Sequence, residues 1–442
     1  MTLLLILISV VVIVLLITKL KLHPFLALLF VSIGFGLATG MKTTLIITSI
    51  QEGFGGTLGK IGLIIILGVI IGAFLEHTGG ALKLAEKVLQ IIGPKRVTTA
   101  MGIIGYIVSI PVFSDSGFIL LSSLNKNLTK KAGLSLAGTA IALGLGLSCT
   151  HALVPPTPGP IAAAGILNAD LGLVMLLGLF VAAIALIAAL IFAKKVASKV
   201  YLDPDFDHQP QATEPSYTPS LLKSSFPIII PILLIVLKSL SVFLANAGWQ
   251  LQLKNILSFI GEPVIALIIG FFFCLLLPKK LERIMLSTDG WAGKALKDSA
   301  TIILITGAGG IFGKVLQNSD LATIIGDSLA TYPVGIWLPF LLAAAFKSAQ
   351  GSSTVSLITT ASIMVSLMAA LGLTSEMDKA MVVIAIGAGS LIVSHANDSF
   401  FWVVTQMSGM DVKTGYKLHT TGTLVIGSVA MICLYILFII FH

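Results

Sequence analysis

Charged residues are scarce in this chain of 442 residues: Asp, Glu, Lys and Arg make up only 10% of it, where about 25% is usual in soluble proteins. Hydrophobic residues make up 56%, and the mean hydropathy is +1.05. This balance excludes a water-soluble globular fold. It predicts an all-α polytopic membrane protein whose apolar helices face lipid.

Cysteine and the common catalytic motifs are also scarce. The three cysteines lie far apart in apolar stretches, at Cys149, Cys274 and Cys433, so their spacing predicts neither a disulfide framework nor a metal site. The chain has no His-Glu-x-x-His motif, no Gly-x-Ser-x-Gly motif and no phosphate-binding loop, which argues against an intramembrane hydrolase. We therefore expect no enzyme activity, no metal and no cofactor.

The net charge of +8 does not indicate a nucleic-acid partner, because the basic residues are scattered among short loops rather than gathered in one patch. Placing the amino terminus outside puts most Lys and Arg residues in cytoplasmic loops, as the positive-inside rule requires. The apolar segment from Thr2 to Thr18 lacks a preceding basic region and a cleavage site, so we interpret it as a retained span.

The apolar segments follow the same order in the two halves of the chain. The first half has predicted elements at 3–18, 24–40, 60–76, a hairpin at 98–125, a broken span at 133–167 and a last span at 171–193. The second half has them at 225–245, 255–277, 298–316, a hairpin at 333–371, a broken span at 379–408 and a last span at 421–441.

This order predicts two inverted-topology repeats, at 1–193 and 225–442, joined by a polar cytoplasmic linker at 194–224. Each hairpin is expected to be re-entrant, leaving the membrane on the side from which it entered. Two further stretches, 41–56 and 278–297, are too polar to span. We interpret them as interfacial helices, with ordinary loops as the alternative.

The hairpin tips bring polar groups to a depth where hydrocarbon is expected, which is costly and typical of a substrate path. The returning helices begin at these tips, so their free amide groups favour an anion, although the hydroxyls can also simply cap the helices. The candidate substrate-binding residues of the tips are Ser114, Asp115, Ser116, Gly117, Lys347, Ser348, Gln350, Ser352, Ser353 and Thr354.

Two of these residues carry charge. Lys347 is predicted to pair with an anionic substrate, because an uncompensated buried ammonium is costly; the alternatives are a pair with Asp115 or a side chain that reaches the outer interface. Asp115 is a candidate proton carrier. It can alternatively anchor hydrogen bonds.

The broken spans supply the remaining candidates. Prolines within 155–160 prevent a continuous first helix, and a polar cluster occupies the second break at 394–399. The substrate-binding candidates here are His151, Thr157, His395, Asn397 and Asp398. The proton-coupling candidates are Asp115, His151, His395 and Asp398, since histidine titrates near neutral pH; Asn397 and Asp398 are also candidates for holding sodium or for closing the break.

Several strings resemble the gluconate permease family of gluconate:proton symporters, within the ion transporter superfamily. They are THALVPPTPGP at 150–160, AQGSSTV at 349–355, GAGS at 387–390, SHAND at 394–398 with FW at 401–402, and KLHPFLAL at 21–28. The resemblance runs nearly end to end. It implies proton-driven uptake of sugar acids or small hydroxy acids across a bacterial inner membrane, a rigid scaffold with a moving, elevator-type domain that holds both hairpins, and a homodimer.

The first tip departs from that pattern. It has Ser114, Asp115, Ser116 and Gly117 where many gluconate-type members look to have a Glu-Val-Gly string. The expected substrate is therefore a small hydroxylated organic anion, which can be gluconate, a glycerate-like acid or an amino acid such as D-serine. A sodium-coupled carrier and a passive facilitator or channel are the alternatives.

Overall fold

The computed structural model describes residues 2–93, 96–204, 218–244, 251–319 and 335–441, and this part of the chain contains helices and no strand. The predicted all-helical fold is confirmed. The helices of the first half are α1 Thr2–Thr18, α2 Pro24–Ala38, α3 Thr43–His77, α4 Gly80–Ile92, α5 Val97–Val108, α6 Ser114–Lys131, α7 Leu136–Leu153, α8 Pro158–Leu167 and α9 Leu171–Lys195.

The second half repeats this sequence of elements. Its helices are α10 Leu221–Leu244, α11 Leu251–Ile260, α12 Pro263–Cys274, α13 Trp291–Gln317, α14 Trp337–Gln350, α15 Ser353–Leu367, α16 Glu376–Leu391, α17 Ser399–Met407, α18 Val412–Gly415 and α19 Thr421–Phe441. A π-helical turn, Tyr416–Thr420, joins α18 to α19.

Six helical segments within the described residues are long and apolar enough to cross a bilayer, which supports an integral membrane protein. Several shorter apolar helices accompany them. The six are Thr43–His77, Leu136–Leu167, Leu171–Lys199, Leu221–Ser239, Arg283–Gln317 and Val412–Phe441.

The longest helix of the described chain, α3, has 35 residues, a length of about 52 Å. It crosses α13 at a close approach between Gly53 and Gly310: a Cβ atom on Gly53 would lie 2.6 Å from the carbonyl oxygen of Gly310. Small residues let two membrane helices approach this closely. At the same crossing Glu52 forms an ion pair with Lys314, at 3.1 Å.

Three sequence predictions are wrong in detail. Residues 43–56 of the predicted interfacial stretch 41–56 are not a separate helix but the first turns of α3, which continues to His77. Residues 278–297 form only one short 3-10 helix, Arg283–Leu286, before α13 begins at Trp291. The predicted span at 255–277 is divided into α11 and α12.

Within the described residues, each half contains a helical hairpin and a broken span. α5 and α6 form the first hairpin, and α14 and α15 form the second; residues 333 and 334 of the predicted hairpin, and 205–217 of the predicted linker, lie outside the described residues. α7 and α8 are the two parts of the first broken span, and α16 and α17 are the two parts of the second.

Contacts between the halves are reciprocal. The returning helix of the second hairpin, α15, packs on the second part of the first broken span, α8, while the equivalent helices α6 and α17 also pack together. Likewise, α2 packs on α13 and α12 packs on α3. Two repeats related by a pseudo-twofold axis produce such matched pairs.

Local chemistry explains why the breaks form. Pro155, Pro156 and Pro158 remove amide donors after α7, so α8 restarts at Pro158. α16 ends near Val393, which has a positive φ of 56°, and the side chain of Asp398 caps α17 by accepting from the amide of Phe400 at 3.1 Å.

Candidate functional site

The two hairpin tips, the second helix break and the end of α7 before the first break surround one cavity of about 400 Å³. Its walls combine hydroxyl, amide and charged side chains with a few apolar ones. The lining residues are Phe113, Ser114, Asp115, Ser148, His151, Ala152, Lys347, Gln350, Gly351, Ser352, Ser353, Thr354, Leu391, Ser394, Asn397, Asp398, Ser399, Phe400 and Thr423.

An ion pair lies in the wall that the second half contributes. Lys347 is only 2% exposed, yet its Nζ donates to Asp398 Oδ2 at 2.6 Å and to the carbonyl oxygen of Gly351 at 2.5 Å. The structure thus assigns Lys347 a protein partner in the second break. A buried charge requires such compensation, and the contact joins the tip of the second hairpin to that break.

Asp398 has further partners on its other side. Ser394 Oγ donates to Asp398 Oδ2 at 2.5 Å, and the same hydroxyl lies 3.1 Å from His419 Nε2. His419 is fully buried in the π-helical turn, and its Nδ1 has no hydrogen-bond partner. A π turn inside a helix is frequent at functional sites.

The tip of the second hairpin is held rigidly. Gln350 accepts from the amide of Ser352 at 3.0 Å and donates to its carbonyl oxygen at 2.6 Å. Gly351 has φ +88°, and a Cβ atom there would overlap the carbonyl of Asn397, so only glycine fits this close approach. The Ser352 hydroxyl caps α15 by accepting from the amide of Val355 at 3.3 Å.

The wall from the first half is different, because several of its polar atoms are buried without a hydrogen-bond partner among the described residues. They are Ser114 Oγ, Asp115 Oδ1 and His151 Nδ1. The other carboxylate oxygen of Asp115 accepts only a long bond from Ser399, at 3.4 Å. Because buried polar atoms are nearly always paired, these atoms are free to bind a ligand in the cavity.

Most of the predicted site residues line this cavity. The ten that do are Ser114, Asp115, His151, Lys347, Gln350, Ser352, Ser353, Thr354, Asn397 and Asp398.

The other five predicted residues lie outside the lining. Ser116 and Gly117 belong to α6, where a Cβ atom on Gly117 would meet Leu147. Thr157 is buried and donates to the carbonyl oxygen of Val154 at 2.6 Å.

Ser348 and His395 form contacts between the tip of the second hairpin and the second break. The carbonyl oxygen of Ser348 accepts from His395 Nε2 and from Asn397 Nδ2, both at 2.9 Å. The ring of His395 also stacks on Tyr416, with 6.3 Å between centroids. These contacts fasten the second tip to the second break.

Sequence reasoning missed other polar lining residues, namely Ser148, Ser394, Ser399 and Thr423, and it missed His419 behind them. Ser394 and Ser399 lay within the polar cluster predicted at 394–399, which was the signal for both. Ser148 and Thr423 lie within α7 and α19, where a hydroxyl usually bonds its own helix.

Comparisons with known proteins agree with this architecture. Residues 1–440 match the family model described as GntP family permease. The chain belongs to the GntP permease family. It is 34% identical to a gluconate permease of Pseudomonas aeruginosa, over 96% of this chain and 94% of that protein. It is 32% identical to the D-serine transporter DsdX of Escherichia coli, over 94% and 93%.

A solved structure shares the fold. The YdaH transporter of Alcanivorax borkumensis, described as having an unusual topology, superposes with a TM-score of 0.65 over 93% of this chain and 97% of its own, at 13% identity. The named relatives are permeases and transporters rather than enzymes. This GntP family permease is therefore an integral membrane transport protein.

Proposed function

We propose that this permease is a secondary active transporter that imports a small hydroxylated organic anion across the bacterial inner membrane by proton symport. Gluconate and D-serine are named for its relatives, and both are small solutes that combine a carboxylate with hydroxyl groups. Sodium coupling and passive facilitated transport are the alternatives.

The observation that carries this proposal is a buried cation in the wall of a small cavity. Lys347 lines the space together with Ser352, Ser353 and Thr354 at the start of α15. The amino-terminal end of a helix presents free N–H groups and a positive partial charge. An ammonium group and a helix terminus in one wall favour a carboxylate, and about 400 Å³ is at the small end of ligand pockets.

The opposite wall favours a solute that donates hydrogen bonds. Asp115 Oδ1 and His151 Nδ1 are buried without partners, and a carboxylate oxygen can only accept. The hydroxyls of a sugar acid or a glycerate-like acid would satisfy Asp115, and so would the ammonium group of a D-serine-like amino acid. The substrate would therefore lie with its carboxylate towards Lys347 and its donors towards Asp115.

For transport, we propose that the hairpins and broken spans move together against a scaffold that includes α3 and α13. Support comes from the mutual packing of these mobile elements, α8 on α15 and α6 on α17, which would move the cavity as one body. The same proposal places the amino terminus outside and the repeat boundaries at 1–193 and 225–442. It also includes contacts with lipid and a homodimer.

Uptake by purified protein in proteoliposomes tests the function. An inward proton gradient should drive accumulation of a labelled hydroxy acid above its external concentration, and an uncoupler should abolish it. Replacing sodium with choline at constant pH should change nothing. Accumulation that needs sodium would establish the alternative coupling, and equilibration without accumulation would establish a facilitator.

A further inference from the structure

We infer that the substrate carboxylate takes the place of Asp398 beside Lys347, and that the coupling proton neutralises Asp398 through Ser394 and His419. This inference rests on the proton symport proposed above and assigns that proton a binding site. It adds His419 and Ser394 to the transport machinery.

Asp398 places an anion beside Lys347, where the substrate carboxylate would bind. Asp398 Oδ2 lies 2.6 Å from Lys347 Nζ, and both side chains line the cavity. A substrate carboxylate that reaches Lys347 meets this ionised group, and two carboxylates competing for one ammonium repel each other. Protonation of Asp398 removes the repulsion and frees the ammonium for the substrate.

The hydrogen bonds that link Asp398, Ser394 and His419 have the directions that proton transfer to Asp398 requires. Ser394 has one hydroxyl hydrogen, which it donates to Asp398 Oδ2, so its oxygen must accept from His419 Nε2–H. The neutral His419 ring then carries its hydrogen on Nε2 and leaves Nδ1 as an acceptor. That Nδ1 is buried without a partner.

Proton uptake can therefore proceed by reversing the direction of each hydrogen bond between His419, Ser394 and Asp398. A proton from water binds His419 Nδ1, the Nε2 proton passes to Ser394 Oγ, and the former hydroxyl proton of Ser394 passes to Asp398 Oδ2. One proton enters, His419 ends as the Nδ1–H tautomer, and Asp398 ends as a neutral acid. Every hydrogen bond of the chain is kept with its direction reversed, since Asp398 then donates to Ser394 and Ser394 donates to His419.

Charge balance explains why the two solutes would move together. Without solute, Lys347 is paired with one anion, Asp398. With the acid and a proton bound, Lys347 is again paired with one anion, the substrate carboxylate, while the charge on Asp115 is the same in both forms. With the acid alone Lys347 would face two carboxylates, and with the proton alone it would lose its ion-pair partner, which is strongly unfavourable for a buried ammonium. Only the solute-free and the fully loaded forms would cross the membrane readily.

Other titratable groups surround Asp398 and are the rivals for this proton. They are Lys347 on α14, Asp115 on α6, His151 on α7 and His419 itself. Among the hydrogen bonds of the described residues, neither Asp115 nor His151 is linked to Asp398, whereas Lys347 bonds it directly and His419 bonds it through Ser394. The site is therefore expected on the Asp398 side.

The test compares the wild type with Asp398→Asn, which imitates the neutral acid and can still accept a hydrogen bond from Lys347. A transported acid found with the wild type serves as the probe. Three quantities are measured in proteoliposomes: accumulation driven by a proton gradient, exchange of labelled for unlabelled acid, and the pH dependence of affinity. Calorimetry in buffers of different ionisation enthalpy counts the protons taken up when the wild type binds the acid.

We expect wild-type binding to take up one proton, and its affinity to fall about tenfold per pH unit at alkaline pH. Asp398→Asn should exchange the acid with a pH-independent affinity but accumulate none. His419→Gln should keep exchange and lose at least about tenfold in the initial rate of proton-driven uptake, a loss of about 1.4 kcal/mol in barrier terms. His77→Gln, an exposed histidine stacked on Trp291, should behave as the wild type.

Proton-driven accumulation by Asp398→Asn would overturn the inference, as would loss of its exchange in a protein that is folded by size-exclusion chromatography. If Asp398→Asn does not fold, the calorimetric proton count and the His419→Gln rate decide the question alone. A wild type that does not respond to a proton gradient would instead refute the proposed function. The two failures are thus distinguishable.

Discussion

Lys347 and Asp398, 51 residues apart in the chain, form a buried ion pair of 2.6 Å between the tip of the second hairpin and the break of the second broken span. The pair joins two structural features that are separate in the sequence, a polar hairpin tip and a polar helix break. It places one buried cation in the wall of the cavity.

Lys347→Met should abolish uptake and also destabilise the protein. Removing one partner of a buried pair leaves an uncompensated charge on Asp398, at a cost of about 3–5 kcal/mol. The double variant Lys347→Met/Asp398→Asn should recover most of that stability but no uptake. Thermal melting followed by size-exclusion chromatography, together with uptake, checks both effects.

Lys379→Met is the matched control for that experiment. Lys379 pairs with Glu376 at 2.6 Å, but Glu376 is half exposed and the pair lies outside the cavity. An exposed pair contributes about 1 kcal/mol or less, so stability and uptake should hardly change. Normal uptake by Lys347→Met would remove the proposed role of the ammonium.

Asp115→Asn should weaken the binding of a substrate more strongly when that substrate donates a hydrogen bond to the site. Its partnerless Oδ1 is expected to accept from the solute, and a charged hydrogen bond contributes about 1.5–3 kcal/mol, so the affinity should fall tenfold or more. Competition assays with paired hydroxylated and deoxygenated acids measure this. The deoxygenated acids should lose little affinity.

The matched control is Asp411→Asn, because Asp411 caps α18 outside the cavity and asparagine caps equally well. It should leave every affinity unchanged. An equal loss for hydroxylated and deoxygenated acids in Asp115→Asn would contradict the proposed orientation of the substrate.

Gly351→Ala should disturb the second tip. It adds a Cβ atom at φ +88° that overlaps the carbonyl of Asn397, so backbone strain of about 1–2 kcal/mol is joined by a steric clash. Uptake and melting temperature should both fall. Gly372→Ala has a similar φ of +71° but open space around it; it should show the strain alone and transport normally.

Gly310→Ala should destabilise the crossing of α3 and α13, because its Cβ atom would overlap the carbonyl of Gly53. Overpacking of this kind costs about 1–3 kcal/mol. Gly56→Ala, in the same crossing region but with nothing within 4 Å, is the control and should melt as the wild type. Identical melting of both variants would show that the approach of the two helices is not tight.

Much of this architecture could be predicted from the sequence because hydropathy and proline report directly on membrane helices and their breaks. Pro155, Pro156 and Pro158 determine where α7 ends. The polarity of the tips likewise placed Asp115 and Lys347 at one cavity. These are local signals, and a single sequence contains them in full.

Contacts between distant segments could not be predicted in this way. Residues 41–56 look too polar for a span, and nothing in the local sequence shows that Glu52 pairs with Lys314 on another helix. The pairing of Lys347 with Asp398 rather than Asp115 depends on how the second break folds around the tip. The direction of a side chain is equally hidden from the sequence: Thr157 and His395 were predicted to bind the substrate, but neither lines the cavity, and both bond backbone carbonyl oxygens.

A structure of the purified permease with a transported acid bound tests the central claim most directly. The account predicts the carboxylate of the acid within hydrogen-bond distance of Lys347 Nζ, with its hydroxyl or ammonium group at Asp115, inside the cavity between the two tips. An acid bound outside that cavity, or one whose carboxylate lies away from Lys347, would contradict it.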